Sequence, residues 1–145
     1  IGYAMSNGAT ATHYYDLGCK HGSDVSCERL GHLMFNRFDS IKDSDVTYET
    51  AVHALAKACV ANVDHACDEM HATFTDSLEG PMAQDLALRD VLDACNKRDR
   101  AAGCYEFALF MTTDHPGAPT DLALAKKYFA KACAGGDEAG CARAK

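Results

Sequence analysis

The sequence has no tryptophan and only three prolines in its 145 residues. It has no long apolar run. Stretches such as Phe107 to Met111 fall far short of the roughly 20 residues that a membrane-spanning helix requires. Nowhere does apolar–polar alternation with a period of two persist, and β-branched residues never cluster, which removes strands from the reading. Basic residues are in deficit, 14 against 21 acidic ones, for a net charge of −7. That balance argues against nucleic acid and anionic lipid, and leaves basic or neutral partners open. No charged-then-apolar leader opens the chain. It begins at Ile1 rather than Met, which predicts a processed or cut form.

The residues of serine β-lactam chemistry are also missing. That chemistry needs Ser-x-x-Lys on one helical turn to set the base beside the nucleophile. Ser40-Ile-Lys42 is one residue short, and no Lys-Thr-Gly occurs. Without strands there is no nucleophile elbow. No catalytic residue is assigned.

What the sequence does have is cysteine: eight, all in close pairs. Cys19 and Cys27, Cys59 and Cys67, and Cys133 and Cys141 each enclose seven residues, and Cys95 and Cys104 enclose eight. Such a spacing fits two antiparallel helices joined by a tight turn, whose ends approach to disulfide range. The predicted bridges are Cys19–Cys27, Cys59–Cys67, Cys95–Cys104 and Cys133–Cys141. A loop this short stabilises its hairpin by about 2.5 kcal/mol in the chain-entropy model. It contributes nothing directly to docking between hairpins. Four such bridges imply an oxidising compartment.

The pairs mark an internal repeat. The first cysteines recur after 40, 36 and 38 residues. Eight positions before each stands an alanine: Ala11, Ala51, Ala87 and Ala125. Four before stands a large apolar residue: Tyr15, Leu55, Val91 and Phe129. One before stands a small one: Gly18, Ala58, Ala94 and Ala132. These share one helical stripe, where small residues let a neighbouring helix approach. After the second cysteine, Leu30, Met70 and Phe107 at +3, then Met34, Phe74 and Met111 at +7, mark the buried face of a second helix. The fourth copy stops at Lys145, before this register completes. The array is therefore either cut from a longer one or closed by a short final helix.

Gly22, Asn62 and Gly135-Gly136 suit left-handed helix ends. Asp24, Asp64, Asp99 and Asp137 suit N-caps of the helices that follow. Three linkers are expected, 36–45, 75–82 and 113–120, and all the prolines fall in the last two: Pro81 in the second, Pro116 and Pro119 in the third. The pattern predicts eight helices, near 8–20, 24–36, 46–61, 64–77, 83–97, 100–113, 120–134 and 137–144. The expected architecture is all-α, one repeat domain over 1–145 with hairpins at about 7–36, 44–77, 82–113 and 119–145. No single hairpin buries its own apolar face, so the copies are expected to stack into an α/α superhelical solenoid with one concave side.

The segment from Asp121 to Cys133, with Gly136-Asp137 and Ala139-Gly140-Cys141, resembles the Sel-one-like repeats, relatives of tetratricopeptide repeats. A cysteine on each side of the turn is similar to the disulfide-bearing branch that includes the Helicobacter cysteine-rich proteins. The resemblance covers the whole chain. Copy three departs from it: Asp90 replaces an apolar or aromatic residue, and its turn, Asn96-Lys-Arg-Asp-Arg, has an extra residue and is the only basic cluster. The resemblance implies an adaptor that binds another protein outside the cytoplasm. Immunity protein and envelope-assembly protein are roles open to such a module. It implies as the alternative a penicillin binder or weak β-lactamase. The compartment implied is periplasmic or secreted, with the mitochondrial intermembrane space as the alternative.

His65, Cys67 and His71 lie close on one helix and are of types that zinc accepts. Structural zinc sites, however, space paired cysteines two to four apart, and Cys67 has a bridge to make. No metal and no cofactor are assigned, and His13, His21, His32, His53 and His115 show no ligand spacing. Catalytic redox cysteines are usually two residues apart, so these pairs read as structural. The remaining candidate is the outward face of the second helices, expected to line the concave side. It carries Glu28, Arg29 and His32, then Asp68, Glu69 and Ala72, then Tyr105, Glu106 and Leu109. This mainly acidic face is expected to steer a basic or polar segment of a partner protein.

Overall fold

A computed structural model describes residues 8–41, 48–63, 65–74, 80–113 and 119–145. They form eight helices: α1 Gly8–Lys20, α2 Asp24–Ile41, α3 Tyr48–Val60, α4 Ala66–Thr73, α5 Gly80–Arg98, α6 Ala101–Phe110, α7 Leu122–Ala134 and α8 Glu138–Ala144. No strand occurs among the described residues. All four expected disulfides are formed, with Cα–Cα distances of 4.5, 4.5, 4.7 and 4.4 Å in chain order.

Each hairpin closes by one device. A residue with positive φ ends the first helix: Gly22, Asn62, Asp99 and Gly136. The next N–H then bonds back to the carbonyl of the small residue before the first cysteine. Ser23 bonds to Gly18, Val63 to Ala58 and Asp137 to Ala132, at 2.9 to 3.1 Å. This is the Schellman arrangement. In the third hairpin Arg100 reaches Ala94 at 3.0 Å. The acceptor keeps its repeat position, so the extra residue is absorbed in the turn. The helices touch where side chains are smallest. A Cβ at Gly103 would stand 2.8 Å from the Val91 carbonyl, and one at Gly18 would stand 2.5 Å from Ser26 Oγ.

Several capping expectations change. Asp99 takes the left-handed turn position itself, with φ 52°, so Arg100 precedes α6 without a side-chain cap. Ser23, not Asp24, caps α2, its Oγ accepting from Ser26 N at 3.2 Å. Asp24 is already helical. Gly135 is not left-handed; Gly136 alone is. Asp137 caps α8 as expected, accepting from Gly140 N at 2.9 Å. Asp64 lies outside the described residues. The first two linkers are shorter than expected, and the third is longer, because α6 ends at Phe110 and α7 begins only at Leu122. α2 continues to Ile41, and α5 begins at Gly80, with Pro81 in its first turn, where the missing N–H costs nothing. α4 ends early, at Thr73.

Most of the expected stripe lies in the core. Ala11, Ala51, Leu55, Ala58, Ala87, Val91, Ala94, Ala125, Phe129 and Ala132 are buried, as are Leu30, Met70, Phe107 and Met111. Tyr15, Gly18 and Phe74 are only half-buried, and the Met34 side chain lies outside the described residues. The helices pack mainly on chain neighbours: α1 on α2, α2 on α3, α3 on α4 and α5, α5 on α6, α6 on α7, and α7 on α8. Between the first two hairpins, Gly31 on α2 admits Leu55 of α3; a Cβ there would lie 2.2 Å from Leu55 Cγ.

Candidate functional site

Three histidine–carboxylate pairs tie neighbouring hairpins together on the side chains of α2 to α6. His32 on α2 meets Glu69 on α4, with Nδ1 3.0 Å from Oε2. His53 on α3 donates from Nδ1 to Asp90 Oδ2 on α5 at 2.5 Å. His71 on α4 donates from Nε2 to Glu106 Oε1 on α6 at 2.5 Å. A carboxylate accepts only, so the bonding nitrogen carries the proton in both short pairs.

The acidic face expected from the sequence divides into two places. Glu28, His32 and Glu69 come together, one donor atom of each lying within 4.8 Å of the others. Burial pushes the Glu69 carboxyl above its ordinary range, helped by a hydrogen bond to Glu28 and by the charge of Glu28. His32 opposes the shift. Glu69 Oε2 stands near His32 Nδ1 but without the alignment of a hydrogen bond. Arg29 and Asp68 are solvent-exposed beside this cluster. These residue types could ligate a divalent cation.

The second place is different. Glu106 was expected on an open face and is instead buried, with 6% of its side chain exposed. The reason is α6 itself, AAGCYEFALF, which carries one charged residue and packs against α5 and α7, and more lightly against α3. A helix apolar all round is covered all round. A Glu106 oxygen sits within 4.8 Å of both sulfurs of the Cys59–Cys67 bridge. Tyr105 turns away to Phe129, with ring centroids 5.5 Å apart. Leu109 joins a cavity of about 230 Å³ that Glu106, His71, Phe74, Gln84, Phe110 and Thr113 also line.

The metal trio considered from the sequence separates. Cys67 is in its disulfide, His71 holds Glu106, and His65 stands in a left-handed conformation before α4. His71 is therefore no plain surface histidine. Its pKa is raised above the ordinary 6.5, chiefly by the hydrogen bond to Glu106 and against the opposing effect of burial; the charges of Glu106 and Asp68 add to the rise. His53, which had no ligand spacing, explains Asp90. The apolar position became acidic, and a histidine one hairpin away answers it. Burial raises the Asp90 pKa, and His53 opposes that rise. Gln84 gave no sign in the sequence. The histidine pairs gave one: their members are 37, 37 and 35 residues apart, close to the repeat length.

No helix among the described residues is long and apolar enough to cross a membrane. The four disulfides fit an oxidising compartment. Comparison with protein-family models, with curated proteins and with solved structures finds no match.

Proposed function

We propose that this chain is a non-catalytic protein-binding module of the Sel-one-like kind. Its disulfide-braced hairpins stack as a solenoid, and it works in the periplasm or outside the cell. A basic or polar segment of a partner protein lies along the second helices, steered by the acidic cluster of the first two hairpins. The observation that carries this reading is the convergence of Glu28, Glu69 and His32 beside exposed Asp68 on a chain of net charge −7. Excess like charge held together on a surface raises the local concentration of basic partners. An immunity or envelope-assembly role would use such a surface in the same way.

The test is affinity capture with the oxidised protein, beside a Glu28→Lys/Asp68→Lys variant. Both positions reach solvent, so the fold should survive their change. The expected result is a partner that the native chain retains, that moderate salt weakens, and that the variant loses. An identical set of captured proteins on both forms would remove this face from the account.

A further inference from the structure

The cavity between the end of α4, the start of α5 and the body of α6 has apolar walls and a few polar groups, His71, Gln84, Glu106 and Thr113. Phe74 and Phe110 form one wall, their centroids 5.5 Å apart and their planes tilted by 50°, with Leu109 beside them. Two lining groups are hydrogen-bond acceptors. Gln84 Oε1 is buried and has no hydrogen-bond partner. Glu106 is almost wholly buried, and Oε1 takes the His71 hydrogen bond. A carboxylate offers about four acceptor positions in all, so the His71 bond leaves most of its capacity for other donors. Buried acceptors without donors are costly, and native interiors rarely keep them so.

We propose that this cavity receives an arginine side chain presented by the partner protein. The proposal rests on the protein-binding reading above and names what that partner must carry. A guanidinium has five donors in a flat fork, so one group addresses the carboxylate and the amide oxygen together. Its face is suited to stacking on the phenylalanines. An ammonium lacks the plane and the fork. A purely apolar occupant would leave Gln84 Oε1 unmatched, and an anion would meet Glu106, with Asp68 adding to the repulsion. His71 competes for the same carboxylate. As imidazolium it neutralises Glu106, and its pKa lies above 6.5. Bound guanidinium disfavours that proton, so affinity rises as pH passes upward through the His71 titration. The charged groups bearing on His71 are Glu106 on α6 and Asp68 on α4, while α5 contributes neutral Gln84 to the cavity.

The experiment is a two-dimensional NMR titration of the oxidised protein with N-acetyl-arginine methylamide. The citrulline and lysine analogues serve as controls, at pH 6 and pH 8. Saturable shifts are expected at Phe74, Leu109, Phe110 and Thr113, with a millimolar dissociation constant that tightens at pH 8. Binding should be roughly tenfold weaker for citrulline, and similarly weaker in a Gln84→Leu variant. Unsaturable shifts, equal binding of citrulline or lysine, a response confined to Glu28 and Asp68, or affinity independent of pH would overturn the proposal. The two readings fail separately. A captured partner that Gln84→Leu leaves untouched but Glu28→Lys releases overturns the arginine site alone. Arginine binding in the cavity with no salt-sensitive partner overturns the protein-binding role alone.

Discussion

The second and third hairpins meet through two histidine–carboxylate pairs, His53–Asp90 and His71–Glu106; the third and fourth meet through rings. There Phe107 stands edge-on to Tyr128 with centroids 4.6 Å apart, and Tyr105 lies 5.5 Å from Phe129. The polar ties at this second junction are Asn96 to the Tyr128 hydroxyl at 3.4 Å and Lys131 to Asn96 at 2.8 Å. Neighbouring hairpins are thus held in one place by histidine–carboxylate pairs and in the next chiefly by ring contacts. Aromatic pairs act through area and quadrupole, so protons leave them unchanged. Histidine pairs act through a proton that can depart.

The three groups with shifted pKa all shift the same way. Glu69, Asp90 and His71 are raised, so in each case folding favours the protonated form. A raised folded-state value gives stability that is complete below the unfolded value and fades as pH rises through the folded one. For Asp90 and Glu69 that window opens at the ordinary 3.8 and 4.5 and extends upward. For His71 it opens at 6.5. The first three hairpins should therefore hold together best in mild acid.

The largest contrast comes from the aromatic junction. Phe129→Ala removes a nearly fully buried ring and should cost about 3–5 kcal/mol. Urea denaturation at pH 6 and pH 8 should give the same loss. A marked difference between the two would break the distinction drawn above. Next comes Glu106→Gln, which keeps the shape and removes the charge. His71 is 42% exposed at its side chain, so screening limits its pair to about 1 kcal/mol or less. That loss should appear at pH 6 and vanish near pH 8.5, and a pH-independent loss would mean that burial geometry, not the imidazolium, sets the cost. The smallest effect is expected for Asp90→Asn. Relief from burying a charge offsets a weaker bond to His53, leaving a change within about 0.5 kcal/mol at pH 7. Thermal melts showing a loss above about 2 kcal/mol would turn this pair into a main tie between its hairpins.

The hairpins were legible in the sequence because everything that makes them is local. Bridge, turn residue and small contact residue all lie within about ten positions of one another. The exception, Asp99, follows the same logic: an extra residue in the third turn moved the left-handed position onto the aspartate. The junctions were harder to read. In the sequence His71 reads only with its helix neighbours His65 and Cys67, whereas its partner lies 35 residues away in the next hairpin, a separation near the cysteine-pair spacing that points to no particular residue by itself. Glu106 was placed outward by helical register, although a lone charge in an otherwise apolar helix was the clue that α6 has no outward face. Asp90 stood out at once as a misfit, and only the position of His53 explained it.

Every bridge joins a cysteine to the next one along the chain. A polypeptide delivered N-terminus first into an oxidising lumen would therefore expose each thiol's correct partner before any competitor emerged. Oxidation could follow export in step, with no mispaired isomers to reshuffle.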